Sequence, residues 1–294
     1  MRVCYFTSGV TGSGRLVLGA SICNGLRRLG HDIDFSVISA ARNADFLAPI
    51  THYSIPIENE GDLDRAHFRG SRLFRQITQL KPDLLIVDLL WFALVHFIDE
   101  LGCKKIFLSR QVDPGFFAIK PSRTLLRFDP APYDRVLAIE PYDCPVTDEF
   151  INPIVIRNPE EILSREEACG RLGLDPWKRN CLFSLNVEDA AFRKAAESYS
   201  YLKDEGYALF YSSLFSEGLF PIVDYFNAFD LVVSGAGYNA FWEAVYFNKK
   251  AVFLPQPKRF ENQKWRVDRC RDFRFTRNGA DELSEIIAQM LYIY

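Results

Sequence analysis

Short apolar runs alternate with longer stretches of helical periodicity through the first half of the chain. The pattern predicts a strand over residues 3–7, a glycine-bearing turn over 8–15, and a helix over 16–29 that stops at Gly30. A second strand is expected over 33–38, a helix over 71–80 ending before Pro82, and a buried strand over 84–87 that ends at Asp88. A helix over 91–101, stopped by Gly102, and strands over 105–108 and 136–139 complete the half; residues 110–135 read as irregular and proline-rich. Repeated strand–helix units of this kind build a parallel, doubly wound sheet.

Residues 152–159, with Pro153 and Pro159 around a short extended run, read as a linker, after which the alternation restarts. Helices are predicted over 166–172, 190–202, 238–247, 262–270 and 281–291, and a helical turn over 221–228. Strands are predicted over 182–185, 208–211, 231–233 and 251–254. The expected architecture is α/β: an N-terminal Rossmann-like domain over residues 1–156 and a second over 157–294, facing each other across a cleft. Ligands in such sheets bind beyond the carboxyl ends of the strands.

Composition narrows the function classes. Of 294 residues, 48% are apolar and 25% charged, as in an ordinary globular protein, and 25 Phe with 13 Tyr exclude disorder. A net charge of −3 carries no signature of nucleic-acid binding. The longest apolar runs are interrupted by Asp88 or by Glu243 and Asn248, so neither reads as a membrane span, and the N-terminus lacks a signal-peptide cleavage pattern. Seven cysteines without a C-x-x-C pair fit thiols in a reducing cytoplasm, and four histidines without ligand spacing leave no metal site to expect.

The turn Gly9-Val-Thr-Gly12-Ser13-Gly14-Arg15 joins the first strand to the first helix, where an anion is favoured. A Walker loop is rejected because Arg15 and Leu16 stand where Lys and a hydroxyl residue belong. A dinucleotide fingerprint is rejected because the next glycine, Gly19, comes too late and no acid ends the second strand. A tight turn without a ligand and the acceptor-side loop of a two-domain sugar transferase remain.

The most informative stretch is Asp230-Leu-Val-Val-Ser234-Gly235-Ala236-Gly237-Tyr238-Asn239-Ala240-Phe241-Trp242-Glu243-Ala244. A buried strand enters a small-residue turn and then an almost wholly apolar helix, whose free amides suit a diphosphate. Asn239 and Glu243 share one helix face. A carboxylate on a buried helix needs a partner, which a ribose diol or a buried arginine can supply. The segment 250–257 follows as strand and proline turn, then Lys258-Arg259-Phe260-Glu261-Asn262-Gln263. With the helix that opens at Arg165, this order resembles the donor-binding domain of GT-B glycosyltransferases, in particular the MurG-like (family 28) UDP-sugar transferases. The resemblance covers roughly residues 3–39 and 158–269.

The resemblance implies a UDP-sugar donor, an inverting reaction without metal or other cofactor, and an acceptor that is lipid-linked or a small molecule. It implies that Glu243 holds the ribose hydroxyls, that Ser234, Gly235, Gly237 and Asn239 face the diphosphate, and that Gln263 contacts the sugar. Phe220 falls near the uracil slot; Arg259 or Lys258 is the candidate cation beside the leaving diphosphate. Gly12, Ser13 and Gly14 form the N-terminal loop. That loop departs from the family's Gly-Gly-His: Arg15 cannot act as a base at neutral pH. Asp88, at the sheet's carboxyl edge, and Asp113 are the candidate bases, with Arg15 and Arg110 orienting an anionic group. The alternatives are a UDP-sugar hydrolase resembling that of pseudaminic acid synthesis and a non-catalytic sugar-nucleotide-binding partner subunit. Residues 116–128, with Phe and Leu beside Lys120, Arg123 and Arg127, read either as a surface facing the acceptor and an anionic membrane or, since Pro121 breaks any long amphipathic helix, as an ordinary loop whose aromatics pack under the sheet; the protein is expected to be cytoplasmic and, on the first reading, peripheral at the inner face of the membrane.

Overall fold

Six short runs pair side by side as one parallel sheet in the N-terminal unit: β1 (Arg2–Phe6), β2 (Asp34–Ser39), β3 (Thr51–Ser54), β4 (Leu84–Asp88), β5 (Lys104–Ser109) and β8 (Arg135–Ala138), in the order β3-β2-β1-β4-β5-β8. A two-stranded antiparallel hairpin, β6 (Ala118–Ile119) and β7 (Leu126–Arg127), lies in the stretch expected to be irregular. This computed structural model describes every residue except 10–12, 31, 43, 122–123, 214–217 and 293–294.

Helix α1 (Gly14–Arg28) buries Leu16, Leu18, Ile22, Cys23 and Leu26, an apolar face too broad for a surface helix. Gly19 lies on this face because the Tyr5 ring occupies its side-chain space: a Cβ there would stand 2.8 Å from the ring. A single turn, α2 (Glu60–Leu63), precedes α3 (Arg72–Leu80), where Ser71 caps the start by accepting from the Phe74 N–H and Leu73 and Ile77, four apart, face the core.

The expected helix over 91–101 is two 3₁₀ turns, Trp91–Ala93 and Ile98–Glu100. Its Leu90, Trp91, Leu94, Phe97, Ile98 and Leu101 are all buried, so packing on several sides overrides local propensity. Strand β3 escaped prediction because Thr-His-Tyr-Ser shows no apolar alternation; it is an edge strand held by β2 alone.

The second unit repeats the logic on a smaller scale. Helix α4 (Arg165–Leu172) opens on a capping box between Ser164 and Glu167 and closes on Gly173 in the left-handed region. Strands β9 (Arg179–Ser184), β10 (Tyr207–Ser212), β11 (Leu231–Gly235) and β12 (Ala251–Leu254) form a parallel sheet in the order β10-β9-β11-β12. The helices are α5 (Asp189–Ser198), α6 (Tyr238–Tyr246) and α7 (Gln263–Cys270).

Helix α8 (Gly279–Tyr292) corrects the expected domain boundary. The N-terminal unit comprises Met1–Ile154, Arg259–Glu261 and Arg277–Tyr294, and the second comprises Val155–Lys258 and Asn262–Thr276. The end of the chain therefore belongs to the N-terminal unit rather than to a domain over 157–294. The reason is physical. Helix α8 crosses α1 so closely that a Cβ on Gly25 would come within 2.5 Å of the Ala280 carbonyl oxygen. Arg28 meets Asp281 at 2.6 Å, and Glu282 accepts from both the backbone and the side chain of Asn152 at 2.8 and 2.7 Å. No helix among the described residues is long and apolar enough to cross a membrane.

Candidate functional site

In the second unit the chain winds first to one side of β9 and then to the other, so the switch in strand order falls between β9 and β11. The carboxyl ends of these two strands are where an open α/β sheet binds ligands. Register pairs Ser184 with Ser234 there, and Gly235–Gly237 turns directly into α6. Gly237 is the N-cap of α6 in an extended conformation with no side-chain cap, so the helix N-terminus lies at the carboxyl edge of the sheet.

Helix α6 buries Tyr238, Phe241, Trp242, Ala244 and Val245 around its whole circumference. Glu243 is in this shell with 7% of its surface exposed, and its carboxyl has no hydrogen-bond partner among the described residues. Burial first, and then the neighbouring charge of Asp224, pushes its pKa up to about 8, with Arg157 opposing. Arg157 and Asp224 form their own pair at 2.8 Å, in which burial raises the Asp224 pKa against the pull of Arg157. Glu243 is therefore left out of the ion pair nearest to it.

Other predicted donor residues gather at the same turn. Gln263, the first residue of α7, is buried. Its Oε1 accepts from the Gln256 N–H at 2.9 Å, and its Nε2 lies 3.9 Å from where a Gly237 Cβ would be. Asn239 is half-buried one turn before Glu243. The Ser234 side chain is buried and donates to the Gly235 carbonyl oxygen at 3.1 Å, so it braces the turn. Leu219 and Phe220 are half-buried beside β10, where the Leu219 N–H donates to Ser212 Oγ at 3.1 Å.

Arg266 was missed by sequence reading. It is wholly buried, donates to the Ala236 carbonyl oxygen at 2.8 Å, and carries its guanidinium 5.8 Å from the Tyr238 ring centroid. Its signal was the i, i+3 spacing from Gln263, which sets both on one face of α7. Residues Arg259–Glu261 belong to the N-terminal unit, where the Asp113 N–H donates to the Phe260 carbonyl oxygen at 2.8 Å and Phe116 meets the Phe260 ring edge-on.

In the N-terminal unit the equivalent switch falls between β1 and β4, with Asp88 at the carboxyl end of β4. Asp88 is fully buried. Arg110 donates to both its oxygens at 2.7 and 2.8 Å, Thr7 Oγ1 donates at 2.8 Å, and the Tyr5 hydroxyl lies 2.9 Å from Oδ2. Strand register forces this meeting, since Phe6 pairs with Val87 and sets Thr7 beside Asp88. An enclosed carboxylate so engaged positions Arg110. Burial lowers the Arg15 pKa while the charge of Asp88 raises it, which ties Arg15 electrostatically to the same cluster. Asp113 is exposed, with one oxygen capping a 3₁₀ turn through the Gly115 N–H at 2.8 Å. Ser13 precedes α1 without a side-chain cap, Gly14 is the first helical residue, and Gly12 lies outside the described residues.

The membrane expectation loses its apolar half. Phe116, Phe117 and Leu126 are buried, and Phe128 packs against Trp91, Phe107, Phe117 and Tyr133. Only Leu125 among these apolar side chains is exposed, and Arg123 lies outside the described residues.

Among solved structures, the chain is similar to the spinosyn forosaminyltransferase SpnP, at a TM-score of 0.61 and 15% identity over 99% of this chain and 90% of that one. It is also similar to the Streptomyces sp. SF2575 glycosyltransferase SsfS6 complexed with thymidine diphosphate, at 0.56 and 15% identity over 87% and 82%. The glycosyltransferase SnogD from Streptomyces nogalater matches at 0.52 and 13% identity, again over 87% and 82%. The chain has the GT-B fold. No protein-family profile and no curated protein sequence matches it. The fold agrees with the two Rossmann-like halves expected from the alternation of strands and helices.

Proposed function

We propose that the protein transfers a sugar from a pyrimidine nucleoside diphosphate donor to a hydroxyl acceptor. The observation that carries the reading is Glu243: a buried carboxyl without a hydrogen-bond partner among the described residues, one turn into a helix that begins at the carboxyl edge of a switch-point strand. A ribose diol offers two donors to such a group, and the amides at the start of α6 meet the diphosphate. Gln263 contacts the sugar, and Arg266 holds the turn for both. UDP is the nucleotide that the sequence resemblance implies, and SsfS6 complexed with thymidine diphosphate brings TDP into the same test.

The N-terminal unit supplies the acceptor side. Asp113, exposed and with one oxygen committed, is the base that takes the acceptor proton; inversion at the anomeric carbon follows from direct attack. The Asp88–Arg110 pair, with Arg15, orients an anionic group. Thermal shift with UDP, TDP and their sugars tests the donor assignment, since a ligand that binds the folded state raises its stability by mass action. Stabilisation by a nucleotide sugar in the wild type and its loss in Glu243→Ala support the reading. Equal shifts in both proteins overturn it.

A further inference from the structure

The N-terminal unit contains a cavity of about 160 Å³ at the carboxyl edge of its sheet, between Phe6 and Thr7 at the end of β1 and Leu90 and Phe92 after β4. Its walls are apolar, and Ile57, 61% exposed, forms part of its rim. Three titratable side chains also line it: Glu58, Glu60 and His96. The fold accounts for Glu58, whose two oxygens accept from the Arg72 and Leu73 N–H groups at 2.7 and 2.9 Å at the start of α3. It does not account for the others. Oε2 of Glu60 is buried without a hydrogen bond, and His96 has no hydrogen-bond partner among the described residues. Unsatisfied buried polar atoms are costly and rare in folded proteins. The buried Glu60 oxygen, beside the half-buried His96 imidazole on the same apolar cavity, marks the place where a ligand supplies the missing donor. Apolar walls with a few convergent polar groups are the usual make-up of a small-molecule site.

We infer that this cavity binds an apolar, ring-sized portion of a small molecule and that Glu60 and His96 hydrogen-bond hydroxyl or amine groups on it. A cavity of this size accepts a benzene-sized group. Calling the molecule the glycosyl acceptor rests on the transferase reading; the binding itself does not. The acceptor is then a hydroxylated aromatic or alicyclic compound rather than a sugar or a charged polymer.

The probes are 1-naphthol, which carries one hydroxyl, and naphthalene, which carries none, both titrated by fluorescence against the full chain. Saturable binding of 1-naphthol is expected, with at least a tenfold loss in Ala93→Trp, which fills the cavity. Ile57→Arg at the exposed rim gives the same loss at a position where folding is not at risk. Glu60→Leu weakens 1-naphthol at least fivefold and leaves naphthalene unchanged or tighter. Binding that is unaffected by both Ala93→Trp and Ile57→Arg, or a Glu60→Leu effect equal for both probes, overturns the proposal. Glu243→Ala leaves 1-naphthol binding intact, so a chain that binds 1-naphthol and no nucleotide sugar loses the transferase reading while the cavity assignment stands.

Discussion

Nη1 of Arg266 donates to the carbonyl oxygen of Ala236 at 2.8 Å from a wholly buried position. A helix of the second unit thus fastens the backbone of the turn that presents α6. Arg266→Leu leaves that carbonyl without its donor, which costs about 1–3 kcal/mol. The melting temperature falls, and nucleotide-sugar affinity drops by roughly tenfold, equivalent to about 1.4 kcal/mol. Calorimetric titration and thermal denaturation read the two effects; an unchanged melting temperature removes Arg266 from this role.

The raised pKa of Glu243 makes binding depend on pH. With its pKa near 8, the carboxyl is mostly protonated at neutral pH in the free protein, whereas a ribose diol is best held by the ionised form. Affinity for an intact nucleotide sugar rises close to tenfold per pH unit from about 6 to 7.5 and levels off above about 8, because the apparent constant scales with the competent fraction. The diphosphate diester of such a donor does not titrate in this window, so the slope reports the protein. A flat profile contradicts the assignment.

The same shift affects stability with the opposite sense. A folded pKa above the unfolded one adds stability that is complete below about pH 4.5 and is lost as pH rises through about 8. Glu243→Gln therefore flattens the decline of stability across that window and raises the melting temperature at pH 8.5, while it weakens the nucleotide sugar. Denaturation curves at pH 5 and 8.5 separate the wild type from the variant.

The two aspartates of the N-terminal unit part company on substitution. Asp88→Asn removes the carboxylate from a buried, four-member cluster and destabilises by about 3–5 kcal/mol. Asp113→Asn keeps an oxygen for the Gly115 N–H, so stability changes by less than about 0.5 kcal/mol. Turnover in Asp113→Asn falls by about 10²–10⁴ with nucleotide affinity unchanged, as for loss of a general base. Full activity in that variant moves the base elsewhere.

Much of this was legible in the chain. The alternation of strand and helix, the linker near residue 154 and the strand–turn–helix around Gly235–Gly237 all follow from local patterns that tertiary context left alone. Glu243 stood out because an acid on an apolar helix is out of place. What was hidden depended on distance along the chain. Asp88 read as the end of an apolar strand at the sheet's carboxyl edge; its partner Arg110 is 22 residues away, and nothing local marks their meeting. The aromatics of 116–128 looked available to a membrane because their partners Trp91, Phe107 and Tyr133 lie outside that stretch. Glu60 and His96 attracted no notice, since only the fold sets them on one cavity.

Gly25 tests the packing of α8 on α1. Gly25→Val drives side-chain atoms against the Ala280 backbone and costs about 1–3 kcal/mol or more by overpacking. Urea denaturation followed by probes in each unit places the loss in the N-terminal unit; loss confined to the second unit contradicts the shared core of α1 and α8.

The return of α8 to the N-terminal unit has a consequence for biosynthesis. The stretch between Ile154 and Arg277, which holds the short return Arg259–Glu261, separates the two large parts of that unit, and at about 5–20 residues per second it takes roughly 6–25 s to synthesise. Throughout that interval the surface of α1 around Gly25 is exposed on the nascent chain, while the second unit emerges whole and can fold first. Ribosome-bound chains halted before residue 277 acquire protease resistance over 155–276 and stay sensitive around α1. The half of the protein made first is therefore the half finished last.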